Sequence, residues 1–314
     1  MKKLGGNKTA APGIGRRLKH DMAMNWSLYL LFLPILLFYI LFRYMPMGGL
    51  LISFENYSPK KGITGSEWVG FAHFISFFQN PYFWRLMKNT VWISLSNMIF
   101  GFPAPIILAL MLNELRSKKF QHGIQLVAYL PHFISMIVVC GLVLKFTSDK
   151  GIINDFLALF GVERKSFLNI PKYFVPVYVL SGIWTDVGWS SIIYFAALTG
   201  IDQQLYEAAI IDGAGRWKQT LHVTLPGIMS TIVIMLILQI GNLLNLGYEK
   251  IILLYNPITY ETADVISTYV YRKGILEGAF SYSTAVGLFN SVINFALLII
   301  ANTISKKAGE GGLW

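Results

Sequence analysis

The chain has 314 residues, of which 54% are hydrophobic and only 13% charged, with a net charge of +10 and a mean hydropathy of +0.54. A soluble domain carries about a quarter charged residues, so this balance excludes an ordinary soluble fold and places the chain in a bilayer. Its Lys and Arg are scattered between apolar runs rather than striped along one face, which argues against nucleic acid and for membrane orientation.

In chain order, residues 1–25 form a polar basic tail with Lys2, Lys3, Lys8, Arg16, Arg17 and Lys19. The apolar run 26–45 follows. It exceeds the roughly 7–15 residues of a signal-peptide core and ends in Arg43-Tyr44-Met45-Pro46 with no small-residue cleavage site. It therefore reads as a first transmembrane helix. Five more runs have the roughly 20 residues needed to cross about 30 Å of hydrocarbon. They are 89–113, 124–146, 173–198, 225–246 and 284–304. Pro103 and Pro105 are expected to kink the second span. Cys140, the only cysteine, excludes an internal disulfide and reads as an inert thiol in an apolar run.

Six crossings put both termini on one side, and the basic tail assigns that side to the cytoplasm. Arg116, Lys118, Lys119, Arg216, Lys218, Lys306 and Lys307 fall on the same side. Lys60, Lys61, Lys150, Arg164, Lys165, Lys172, Lys250, Arg272 and Lys273 fall in the outer loops, and Arg43, Arg85, Lys88 and Lys145 lie at outer span edges. Among the outer loops, 71–84 is rich in aromatic rings and carries Asn80-Pro81 as a helix start. It reads either as an interfacial helix on the membrane surface or as a landing surface for an extracellular partner. Segments 151–161 and 262–277 also read as short helices, and the three outer loops are expected to pack together.

The polar stretch 204–228, between two apolar runs, organises the rest. Asp202 is a good N-cap for a helix over 203–211, and Gly213 suits its C-terminal cap. Thr224 is expected to cap the next membrane helix, with Leu225 and Pro226 in its first turn. Leu205, Ala208 and Ala209 share a face, and the alanine pair allows close approach of another backbone. On these residues alone the loop is either an ordinary amphipathic connection or a docking helix.

Here the sequence resembles a known family. Glu207-Ala208-Ala209, then Gly213 six residues after the glutamate, then Leu225-Pro226 match the EAA loop of ATP-binding-cassette (ABC) importer permeases, with Val223 where Ile is usual. Trp68-Val69-Gly70-Phe71, Trp84, Asn89-Thr90 and the stretch from Gly151 to Leu157 resemble the maltose-type carbohydrate-uptake branch. Gly241-Asn242-Leu243-Leu244-Asn245 and the run from Asn256-Pro257 to Tyr271 resemble its oligo- and polysaccharide subgroup.

The resemblance implies an all-α, six-helix type I importer permease of the bacterial cytoplasmic membrane. It would have a basic tail (1–25), a permease domain (26–304) containing an EAA coupling loop (202–226), and a cytoplasmic C-terminal tail (305–314). It implies that Glu207, Ala208, Ala209, Asp212, Gly213, Leu225 and Pro226 couple to a separate ATPase. The implied partners are a second permease, two ATP-binding subunits, an extracellular solute-binding protein, a sugar and membrane lipid, with no nucleic acid. The sequence has no Gly-x-x-x-x-Gly-Lys-Ser/Thr phosphate loop, so ATP and Mg would be handled by the partner ATPase and no cofactor is expected in this chain.

Polar groups within spans are costly and informative. Asp186 lies mid-span among Trp184, Thr185, Gly188 and Trp189. It is either a buried, paired aspartate or a group facing the solute path. Gln239, Asn242 and Asn245 recur every three residues in the fifth span, and Asn290 and Asn294 are four apart in the sixth. These amides either hold helices together or contact sugar, whose hydroxyls suit amides and whose apolar face suits rings. By resemblance, Asp186, Trp189 and Gln239 lie nearest the family's solute contacts. Two other function classes compete. An ion-coupled secondary transporter usually shows internal repeats and paired intramembrane carboxylates, where this chain shows only Asp186. A membrane enzyme or metal site lacks a constellation, since His20, His73, His122, His132 and His222 are dispersed.

Overall fold

The structure, a computed structural model, describes residues 21–309 and 312–314. The tail cations Lys2, Lys3, Lys8, Arg16, Arg17 and Lys19, together with His20, lie outside the described residues. Three helices are long and apolar enough to cross a bilayer: α1 (Trp26–Phe54), α3 (Phe83–Asn113) and α14 (Phe280–Lys307). Two further candidates are bent pairs. They are α4 (Lys118–Phe133) with α5 (Met136–Phe146), bent by 102°, and α9 (Arg216–Gly227) with α10 (Met229–Gly241), bent by 60°. The remaining expected crossing, fourth in chain order, is α7 (Pro171–Leu198). Its 28 residues give about 42 Å of helix, but its Ser, Thr, Gly and Asp content keeps it outside that apolar set. By length and apolarity the crossings thus number three, or up to five with each bent pair as one.

Several expected spans change at their edges for local reasons. The first apolar run continues past Met45 to Phe54, and the second begins six residues early at Phe83, after the Asn80-Pro81 turn. Asn80 holds that turn with its side-chain oxygen on the Tyr82 amide at 2.9 Å. The third is not one straight span. The Leu130–Phe133 turn around Pro131 breaks it, and Ser135 opens the next helix. The fifth breaks at Ile228 and ends at Gly241. Thr224 is not an N-cap, because α9 runs helically through it to Gly227. The last helix reaches Lys307, past the expected start of a tail at 305.

Prolines explain three of the four places among the described residues where the helical backbone widens; the fourth, Arg272–Leu276, has none. Proline has no N–H and its ring crowds the carbonyl four residues back. Two residues before each of Pro46, Pro103 and Pro226 the helix leaves a single π-turn: Ile40–Tyr44, Asn97–Gly101 and Thr220–Thr224. The Met45 and Leu225 amides bond five residues back, to Ile40 and Thr220. A wide turn of this kind accommodates the proline without breaking the helix. The kink expected from Pro103 and Pro105 is therefore a π-turn inside α3.

The loops expected on the outer side form a cap. Strand β1 (Glu55–Asn56) pairs antiparallel with β2 (Glu67–Trp68). Helix α2 (Ala72–Phe78) then buries Phe77 against Phe83, Leu86, Ile266, Tyr269 and Val286, joining the first and third outer loops. Beyond these lie α6 (Ile152–Ala158), α11 (Tyr248–Leu254), α12 (Tyr260–Ala263) and α13 (Ile266–Tyr271). The second loop joins through Asn256 on the Leu168 carbonyl and Thr262 on the Pro171 carbonyl, both 2.9 Å.

At the centre of the cap, fully buried Asp264 takes both guanidinium nitrogens of Arg272, at 2.8 and 2.7 Å. It also accepts the Thr268 hydroxyl at 2.7 Å. Burial works against the Arg272 charge, but bonding to Asp264 outweighs it and holds the guanidinium above its ordinary value. Asn89 donates to the Glu261 and Asp264 carbonyls at 2.9 Å, tying α3 to the same loop. By contrast α1 has no buried residue over Trp26–Tyr44, and only its end, Gly48–Phe54, packs on α14.

Candidate functional site

The 202–228 stretch folds as a compact hairpin. The Asp202 carboxylate accepts the Gln204 amide at 2.9 Å and starts α8 (Gln203–Ile211). The helix closes with a Schellman pattern. Gly213 adopts φ +72°, the Ala214 amide bonds back to the Ala209 carbonyl at 2.8 Å, and the Gly213 amide to Ile210 at 3.0 Å. A left-handed φ favours glycine because a Cβ there crowds the backbone. The Tyr206 hydroxyl donates to the Thr224 oxygen at 3.0 Å, and Thr224 is itself buried, so α8 is fastened to α9. Fully buried Ile228 sits at the bend into α10, against Ile106, Ala109, Tyr194 and Leu198.

The outward face of this hairpin is apolar as well as charged. Ile211 is 85% exposed and Trp217 75%, beside exposed Leu205, Ile210 and Leu221 and the Glu207 carboxylate. Ala208 and Asp212 are also exposed, and Ala209 and Leu225 half-buried. Arg216 lies 3.7 Å from Glu114, beside the α3–α4 turn. Trp217 was not picked out from the sequence. The available signal was a large aromatic residue between two cations, Arg216 and Lys218.

A cavity of about 740 Å³ lies between α3, α7, α10 and α11, within the range usual for small-molecule sites. Asp186, Trp189, Gln239 and Asn242 all line it. Asn242 stands at the end of α10, and Asn245 in the turn beyond it. Asn245, Asn290 and Asn294 are not among the lining residues. Asn294 accepts the Leu244 amide at 3.0 Å and Asn290 donates to the Leu244 carbonyl at 3.3 Å, so both hold this turn.

Three lining or supporting groups were not picked out from the sequence. Asn97 lines the cavity from the π-turn of α3. His132, at the α4–α5 break, bonds Asp186 through Nδ1 at 3.1 Å and stacks on Trp189 with ring centroids 4.6 Å apart. Lys250, placed by sequence among outer-loop cations, lines the cavity from α11. Their partners are distant in sequence, which is why spacing gave no signal. Chemically the cavity combines an exposed indole, amides, carboxylates and one ammonium, a set that suits hydroxyl-rich solutes. Among the described residues no group of His, Cys, Asp and Glu has a metal-holding arrangement.

Residues 101–309 match the family described as "Binding-protein-dependent transport system inner membrane component". Protein LplB of Bacillus subtilis (strain 168) is 47% identical over 309 residues, covering 98% of this chain and 96% of the relative. The polygalacturonan/rhamnogalacturonan transport system permease protein YteP of the same organism is 46% identical, covering 95% and 94%. Among solved structures, a chain of a bacterial alginate ABC transporter in complex with alginate pentasaccharide-bound periplasmic protein superposes with a TM-score of 0.87. It is 43% identical and covers 95% of this chain and 100% of that one.

Proposed function

We infer the role of this chain from its family: it belongs to the binding-protein-dependent transport system inner membrane components. It is the permease subunit of an ABC importer for sugars, a multi-pass membrane protein and not an enzyme. We further propose that its solute is an acidic oligosaccharide, since YteP is named for polygalacturonan and rhamnogalacturonan and the alginate transporter for alginate.

In the proposed cycle an extracellular binding protein delivers the sugar to the outer cap, and the sugar passes through the α3–α7–α10–α11 cavity. Trp189 offers a ring for a pyranose face; Asn97, Gln239, Asn242 and Asp186 offer hydroxyl partners. A second, related permease completes the pore. Two ATPase subunits supply ATP hydrolysis, with both termini of this chain in the cytoplasm. One ATPase grips Glu207, Ala208, Ala209, Asp212 and Gly213, and Leu225 and Pro226 carry its movement into α10.

The observation that carries this reading is the fastening of α8 to α9 through Tyr206 and Thr224, one bend away from the helix that ends at Gln239 and Asn242. Nothing specific favours an ion-coupled transporter. The test is to isolate the chain from its source membrane, identify what accompanies it, and repeat with Glu207→Ala and Gly213→Val. An ATPase, a second permease and a binding protein are expected in the unsubstituted complex. Both variants are expected to insert normally but lose uptake. Normal uptake by both would refute the coupling role.

A further inference from the structure

Lys250 is the only Lys or Arg among the described residues that line the cavity, and its residue is just 8% exposed. Its ammonium donates to the Tyr178 carbonyl at 2.9 Å and lies 4.5 Å from the centroid of the Tyr178 ring. No carboxylate stands within ion-pair distance of it among the described residues. An ammonium has three donors, and one carbonyl and one ring face do not use them fully. A buried cation without a counter-ion is costly, and within membrane proteins such groups mark solute and ion pathways. Gly182 leaves the room the ammonium needs, because a Cβ there would sit 3.2 Å from Nζ.

The same cavity is lined by Asp186 and Glu249. Asp186 is already engaged by His132 at 3.1 Å and by the Thr185 hydroxyl at 3.3 Å. Carboxylates accept the hydroxyl protons of a sugar but repel its acid groups, and among the lining residues only Lys250 offers an acid a positive charge, the amides and the indole offering neutral donors. A uronate-containing oligosaccharide satisfies both kinds of partner at once.

Resting on the acidic-oligosaccharide reading above, we propose that Lys250 is the carboxylate-binding group of the translocation cavity and sets this subunit's preference for acidic over neutral sugars. Gly182 is the positioning residue that lets its ammonium lie against α7. A merely structural lysine, tying α11 to α7, would affect acidic and neutral solutes alike.

The experiment uses the whole complex in proteoliposomes: both permeases, the ATPases and the binding protein. A trisaccharide of galacturonic acid and its fully methyl-esterified form are supplied separately, each at a concentration that saturates the binding protein. With Lys250→Met, uptake of the free acid is expected to fall about tenfold or more, the scale of one lost charge-assisted hydrogen bond, while the ester stays within about twofold. Gly182→Ala, which keeps the lysine but displaces its ammonium, is expected to produce a smaller loss with the same selectivity. Free-acid uptake unchanged in both variants, or an equal fall for both probes, overturns the assignment. If the unsubstituted complex hydrolyses ATP in response to the binding protein but admits neither probe, the acidic-sugar reading fails and this site with it.

Discussion

Single side chains hold together both the α8–α9 hairpin and the cavity wall. Tyr206 is the only side-chain hydrogen bond described between α8 and the π-turn of α9. Tyr206→Phe keeps the ring and removes that bond, a change worth about 1 kcal/mol, or roughly fivefold in a coupled equilibrium. The expected outcome is normal assembly with less sugar moved per ATP hydrolysed, measured by parallel uptake and phosphate release. The capping residues Asp202 and Gly213 were legible because their roles depend on neighbours within a few positions. His132 and Lys250 were not. Their partners lie 54 and 72 residues away, and no local pattern in hydropathy or charge marks such a pairing. Asn89 and Thr90 fall between these cases. The family resemblance singled them out, but only the structure shows that they anchor α3 to the Glu261–Ile266 backbone.

Among elements, the outer cap depends most on one ion cluster. Removing Arg272 leaves buried Asp264 with Arg85 at 3.5 Å as its remaining cation. Arg272→Met is expected to destabilise the cap by about 3 kcal/mol, because the buried carboxylate loses its two short charge-assisted bonds and keeps only the long Arg85 contact. Thermal unfolding in detergent checks this, and adding Asp264→Asn is expected to recover part of the loss. Apolar runs located most helices, yet a 20-residue window has the same hydropathy whether straight or folded back. That is why the 102° and 60° bends escaped the sequence reading. Pro131 and Pro226 lie beside those two bends, whereas Pro103 and Pro105 lie in a helix that stays continuous. Proline position alone does not separate the two results. The π-turn absorbs the missing donor in α3, while bends occur where the backbone leaves helical geometry, at Ile134–Ser135 after the tight Leu130–Phe133 turn and at Ile228.

At the scale of the molecule, α1 stands apart from the body over Trp26–Tyr44. Deleting residues up to 44 is expected to leave the unfolding temperature of the remainder within a few degrees. Co-purification of the second permease is expected to fall, since this apolar helix has little contact with its own chain. Unfolding at a much lower temperature would show that α1 supports its own body instead. The bend between α9 and α10 has a mechanical meaning of its own. Arms of about 18 and 20 Å, from 12 and 13 residues, meet at the buried pivot Ile228. Two nearly equal arms about a fixed pivot form a bell crank. It turns thrust along one axis into travel along another while neither magnifying nor shrinking it. On the proposed coupling, a displacement delivered at the α8–α9 hairpin arrives at Gln239 with much the same amplitude, so the width of the opening follows the stroke applied there.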